Sequence, residues 1–230
     1  RMEQNNQLEM QGSTMTVSDC FVQYGVAQSK FSQVEFNNKA VIIKGGLFLL
    51  SDSEWTGRQA YVYAGGRLGI NDSSDVFLGE LISFDPEASL SIGASTVAVE
   101  NNMRLYGNAV VDAARIVCDS FRSDKKLTLS NSAVINASNN VNLAGDFDSD
   151  NSTIHANRFR LEAKSKTREL AVYAAEIECI SPSLNMDRAL FSAKRISVIG
   201  VIGANEADKV FFKESHLATE RFSFKENVQF

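Results

Sequence analysis

The chain has 230 residues, of which 23 are basic and 28 acidic, giving a net charge of −5, and 44% are apolar with only two prolines. That composition supports a continuous core and argues against disorder. No apolar run approaches the roughly 18 residues of a membrane helix, and the scattered charge, without a basic stripe, argues against a nucleic-acid partner.

Residues 1–14 open with the polar stretch RMEQNNQLEMQG and are expected to form a cap or tail ahead of a domain spanning 15–230. Alternation begins at Met15 with MTVSDCFVQ (15–23) and KFSQVEF (30–36), then AVIIKGGLFLL (40–50). AYVYAGGRLGI (60–70) repeats the last of these phrases, Gly pair included. The pairs Gly45-Gly46 and Gly65-Gly66 sit where later phrases carry Ala or Ser, which predicts tight corners where a side chain would strike the next winding. Strand patterns flank both pairs, so neither is a phosphate-binding loop. VFLGELISF (76–84), ASLSIGASTVAVE (88–100) and MRLYGNAVV (103–111) continue the pattern, with Gly79, Gly93 and Gly107 predicted at corners.

From Ala109 onward one phrase returns: AVVDAARIVC (109–118), AVINASNNVNL (133–143), TIHANRFRL (153–161), AVYAAEIEC (171–179) and ALFSAKRISV (189–198). A period of about 20 residues with small insertions and deletions signals stacked repeats. One inward column is predicted to hold Ile116, Val141, Phe159, Ile177 and Ile196, and a second Cys118, Leu143, Leu161, Cys179 and Val198. The same register sets Arg158 against Glu176 and Arg160 against Glu178, so opposite charges meet across neighbouring coils. Ile154, Val172 and Leu190 are expected to share the interior. The fold class is therefore all-β: a single-stranded parallel β-helix, or β-solenoid, with coils of about 20 residues. Roughly eleven coils at about 4.8 Å give a rod on the order of 50 Å. A β-sandwich is the alternative, but the Asn-Gly and Asp-Gly hairpin turns it favours are absent.

DSFRSDKK (119–126), GDFDSDN (145–151), AKSKTREL (163–170), ISPSLNMDR (180–188) and GVIGANEADK (200–209) follow the second alternation of their coils and read as insertions on one side. Solenoids often bind on such a side. SDSEWTGRQ (51–59) takes the same place and carries Trp55, the only tryptophan, as the candidate binding residue. The tail KVFFKESHLATERFSFKENVQF (209–230) shows no capping helix, so its last coil is a candidate for self-assembly. Three cysteines cannot all pair within one chain. Cys118 and Cys179, placed three coils apart at roughly 14 Å, lie beyond disulfide reach and read as small buried hydrophobes.

These coil phrases resemble parallel β-helix proteins as a broad class over most of 15–224, and the small-residue corners of YGNAVVDAARIVCDS resemble bactofilin-like polymer-forming solenoids. The class also holds pectate-lyase-like enzymes, tailspikes, autotransporter passengers and adhesins, so the fold does not choose among them. The close carboxylates Glu176 and Glu178 have arginine partners in the predicted register, which suits them poorly to general acid catalysis. His155 points outward, and His216 is remote from it in the chain, with no second ligand near either. Asp146, Asp148 and Asp150 have the D-x-D-x-D spacing of a calcium loop, but Asn151 and Asn157 replace its glycine and glutamate. No catalytic residue and no other cofactor is assigned. The expectation is a non-enzymatic, surface-exposed or secreted solenoid serving adhesion or structural assembly, with a protein or glycan on its loop side. The alternative is a glycan-binding or glycan-cleaving β-helix of the tailspike or polysaccharide lyase type. The start at Arg1, without a signal-like apolar segment, is expected of a cytosolic chain or of a mature or trimmed extracellular one.

Overall fold

A computed structural model describes residues 7–43, 45–181, 183–200, 210–225 and 228–229. Its strands form one 25-stranded sheet with no helix among the described residues. Each strand pairs in parallel with the strand one winding on. The chain is a parallel β-solenoid.

Each winding has three faces rather than the two implied by the phrases. On the first, Gln7–Gln11 pairs with Val26–Lys30, then Leu47–Ser51, Arg67–Asn71 and Ser89–Gly93. The second and third faces share strands that bend at their common corner, such as Gln33–Ile42, Glu54–Val62 and Asp75–Ser83. The stretches read as insertions supply strands instead. Leu184–Asp187 and the first halves of Phe147–His155 and Ser165–Tyr173 continue the first face. Ser120 to Ser123 continue the third face, and 54–57 the second. Most of GVIGANEADK, residues 201–209, lies outside the described residues. Regular stacking already includes Gln7–Gln11, inside the segment expected to be a cap or tail.

The interior is continuous. On the second face Val34, Trp55, Val76, Val97, Ile116, Ile135, Ile154, Val172 and Phe191 stand in register and are buried. Burying a side chain of this size contributes about 1.5–3 kcal/mol. The windings that join Val34 to Val97 are longer than those that join Val97 to Phe191, so no single period fits the chain. The expected trio is thus corrected in its last member: Phe191 lies below Val172, and Leu190 pairs with Ala171, one residue out of phase.

A second correction concerns the columns above Phe159. Val141 follows Phe121 on the third face, whereas Ile116 belongs to the second. Cys118 pairs with Ala137 on the second face and Cys179 with Leu161 on the third, so they share no column. Both are free and buried. The lower part of the register holds as expected, with Phe159, Ile177 and Ile196 in one column and Leu161, Cys179 and Val198 in the next.

The corners are built in two ways. Between third and first faces, a Cβ on Gly46 would strike the Gln23 carbonyl, and one on Gly66 would lie 2.8 Å from the Ile42 carbonyl oxygen. Gly107 and Gly79 also abut the preceding winding, at Ala88 and Arg58, while Gly93 closes a strand. Between first and second faces almost every turn instead passes through a left-handed residue that is not glycine, including Phe31, Asp52, Asp72, Ala94, Ala113, Asn131, Asn151, Glu169, Arg188 and Glu214. Serine follows several of these residues, inside the corner. Ser32, Ser53, Ser74 and Ser95 are buried, and each Oγ accepts the amide of the serine one winding earlier, at 3.1 to 3.2 Å. Each hydroxyl donates to a carbonyl two or three residues back, at the end of the strand before the corner. This spine satisfies corner amides that a polygonal coil would otherwise leave unpaired.

Candidate functional site

Trp55 stands in the core, fully buried. Its ring meets Phe36 and Phe48 edge-on at 5.7 and 5.4 Å. It is therefore unavailable as the surface binding residue expected from sequence. Pleat direction decides this: Trp55 falls on the inward phase of the second face, between Val34 and Val76.

Asp148 and Asp150 lie in the strand Phe147–His155, not in a loop. Lys126 meets Asp148 at 2.6 Å, and Arg168 donates from Nε to Asp150 at 2.7 Å. Asp146 is exposed just before the strand. An extended backbone spreads the three carboxylates that a calcium loop would converge. Among the described residues no three Asp, Glu, His or Cys side chains are placed to hold a metal ion.

Glu176 and Glu178 face arginines as the register predicts. Arg158 lies 3.5 Å from Glu176, Arg160 lies 3.4 Å from Glu178, and Arg195 pairs with Glu176 from the following winding. On the first face Asp150, Arg168, Asp187 and Lys213 succeed one another in register with alternating sign. His155 is exposed and stacks on Tyr173, with centroids 4.9 Å apart. His216 pairs in register with Leu190 on the same face.

The third face carries a different surface in its N-terminal half. Tyr63, Phe84 and Tyr106 directly follow its strands at equivalent places, their amides bonded to the carbonyls of Ile42, Val62 and Ser83. Tyr63 and Phe84 stack at 4.9 Å and remain 39% and 43% exposed, the strongest aromatic exposure along this edge. Tyr61 packs against the Phe84 ring at 5.2 Å. Burial, followed by the neighbouring Glu80 carboxylate, raises the Tyr61 hydroxyl above its ordinary pKa. Immediately beyond Tyr106 lies a depression of about 330 Å³ lined by Arg104, Arg122 and asparagines. A larger groove of about 770 Å³ runs along the corner of the second and third faces, past Phe77, Glu80, Glu100 and Asp119.

No family model, no characterised protein and no solved structure matches this chain. Nothing in these comparisons supports a bactofilin-like or adhesin-like assignment. No helix among the described residues is long and apolar enough to cross a membrane.

Sequence reasoning missed the aromatic edge because Tyr63, Phe84 and Tyr106 fall one to a winding and only the stacking of windings brings them together. The signal that would have found it is the corner phrase itself. KFSQV, SDSEW, SSDV, GASTV, NSAVI and DNSTI each place a small residue two positions before an inward apolar one, fixing the phase of those six windings.

Proposed function

We propose that this chain is a non-enzymatic rod whose rigid coil presents a recognition surface, in an adhesive or structural assembly role at the cell surface or outside the cell. The observation that carries this reading is the contrast between two surfaces. Most outward charges near the C-terminal end are compensated across windings, whereas the edge through Tyr63 and Phe84 exposes stacked rings. Exposed aromatic patches mark interaction sites, and tyrosine contributes a large contact area with a polar tip. Parallel stacking keeps that edge straight, so a ligand meets a prearranged row of groups and loses less entropy on binding.

A glycan-cleaving role is the second reading, favoured by the corner groove that brings Glu80, Glu100 and Asp119 along one wall. A glycan array followed by assay of reducing-sugar release separates the two. Binding without product supports the rod, and release of product eliminates it. Sedimentation over a concentration series tests assembly through the terminal coil, where a mass that never rises with concentration would remove that role.

A further inference from the structure

Down the outward column of the third face stand Arg104, Arg122, Asn142, Arg160 and Glu178, each in register with the next. Arg160 has Glu178 beside it. Arg104 instead stacks on Arg122, one strand spacing of about 4.8 Å away, and Arg122 has Asp124 as its carboxylate partner at 2.8 Å. Arg104 has no carboxylate partner among the described residues. Like charges in direct cross-strand register are destabilising, so this is the place on the face where an anion would relieve an existing repulsion.

The surroundings narrow the kind of anion. Asn102, Asn140 and Asn142 line the same depression, with Tyr106 at its edge. Asn142 Oδ1 is buried and has no hydrogen-bond partner. That oxygen accepts but cannot donate, so a bare carboxylate, sulfate or phosphate would leave it unpaired. A ligand suited to the whole depression brings an anion for the arginines, a hydroxyl for Asn142, and an apolar ring surface toward Tyr106. A volume of about 330 Å³ is at the lower end of small-molecule sites.

We propose that this depression binds one carboxylate-bearing sugar of an acidic glycan, whose neighbouring residues continue along the Tyr106, Phe84 and Tyr63 edge. The carboxylate lies between the Arg104 and Arg122 guanidinium groups, where charge-assisted bonds are strongest. A ring hydroxyl donates to Asn142 Oδ1 once rotation of the side-chain amide brings that oxygen, closed to solvent in the free chain, into the depression. This deepens the reading of the chain as a recognition rod by naming its ligand class.

Calorimetric titration at low ionic strength with hexagalacturonate, maltohexaose and inorganic sulfate tests the proposal. Saturable binding of hexagalacturonate alone is expected. Arg104→Gln and Asn142→Leu, each checked for an unchanged circular dichroism spectrum, should each weaken it at least tenfold. Absence of saturable binding, equal binding of maltohexaose, sulfate binding as tightly as the sugar acid, or an unchanged affinity in both folded variants would each overturn it. The same samples assayed for reducing ends keep the two readings apart. Cleavage defeats the non-enzymatic rod, whereas lack of binding defeats only this ligand.

Discussion

The amide of Ser53 donates to the hydroxyl oxygen of Ser74, one winding further on, at 3.2 Å inside the corner of the first and second faces. Ser74 is fully buried and donates in turn to the Asn71 carbonyl at 2.7 Å. One side chain thus serves two backbone groups, the Ser53 amide of the preceding winding and the Asn71 carbonyl of its own. Ser74→Ala should leave the Ser53 amide unpaired and cost about 1–3 kcal/mol. Chemical denaturation would show this as a lower midpoint at unchanged slope, and an unshifted midpoint would remove the spine from the list of stabilising features.

The left-handed corner residues carry a steric cost that glycine would not. Ala94 has φ of +46°. Ala94→Gly relieves a strain of roughly 1–2 kcal/mol while increasing unfolded-state entropy by roughly 0.4–1 kcal/mol. The net expectation is an unchanged or slightly higher melting temperature. Ala94→Val adds β-branching at the same φ and should lower it clearly. A valine variant as stable as the glycine one would show that the corner relaxes.

Gln23 is buried with both its amide nitrogen and oxygen unpartnered. It stacks in register on Ile42. Gln23→Leu replaces two unmet hydrogen-bonding groups with an apolar side chain of similar size and should stabilise the N-terminal windings by about 1–3 kcal/mol. Hydrogen exchange of the Ile42 and Val62 amides would report it as slower opening.

Burial, with a smaller contribution from Asp119 or Glu178, pushes the Cys118 and Cys179 thiols up to about 12. Unfolded thiols ionise at about 8.5. Between those values the folded chain holds protons that the unfolded chain has released, so stability is complete below the lower value and falls as pH rises toward the upper. Iodoacetamide at mildly alkaline pH should therefore leave both residues unmodified until the chain is denatured. Modification of the native chain at the rate of a free thiol would contradict the buried placement.

Hydrogen bonding from Arg168 holds the Asp150 carboxyl below its ordinary range, with the Arg168 and Arg188 charges adding to the effect against some desolvation. A lowered folded pKa means that the pair's stabilising contribution is present above the unfolded value and lost as pH falls through the folded one. In Arg168→Gln, carbon-detected titration should show Asp150 returning toward the ordinary carboxylate range. Calcium should leave the melting temperature unchanged, since strand geometry separates Asp148 from Asp150 and each already has a cation; a rise with calcium would restore the D-x-D-x-D reading.

Alternation of Phe159 with Leu161, of Ile177 with Cys179 and of Ile196 with Val198 was sufficient to establish a parallel coil, its inward columns and the pairing of Arg158 with Glu176. Period-two patterning is a local property, and charge complementarity between adjacent windings fixes their alignment. The glycine pairs were legible for the same reason, since lack of a side chain at a corner is written in the residue itself. The number of faces was not. A third strand such as Leu184–Asp187 looks like an irregular link until its partners on neighbouring windings are in place. Giving every winding three strands moves Trp55 from a supposed loop to the core, spreads Asp148 and Asp150 along a sheet, and sets Phe191 in place of Leu190 beneath Val172. Only the tertiary structure could bring Arg104 beside Arg122 and align Tyr63 with Phe84, because winding length changes along the chain and a single uncounted residue reverses which side of a strand faces water.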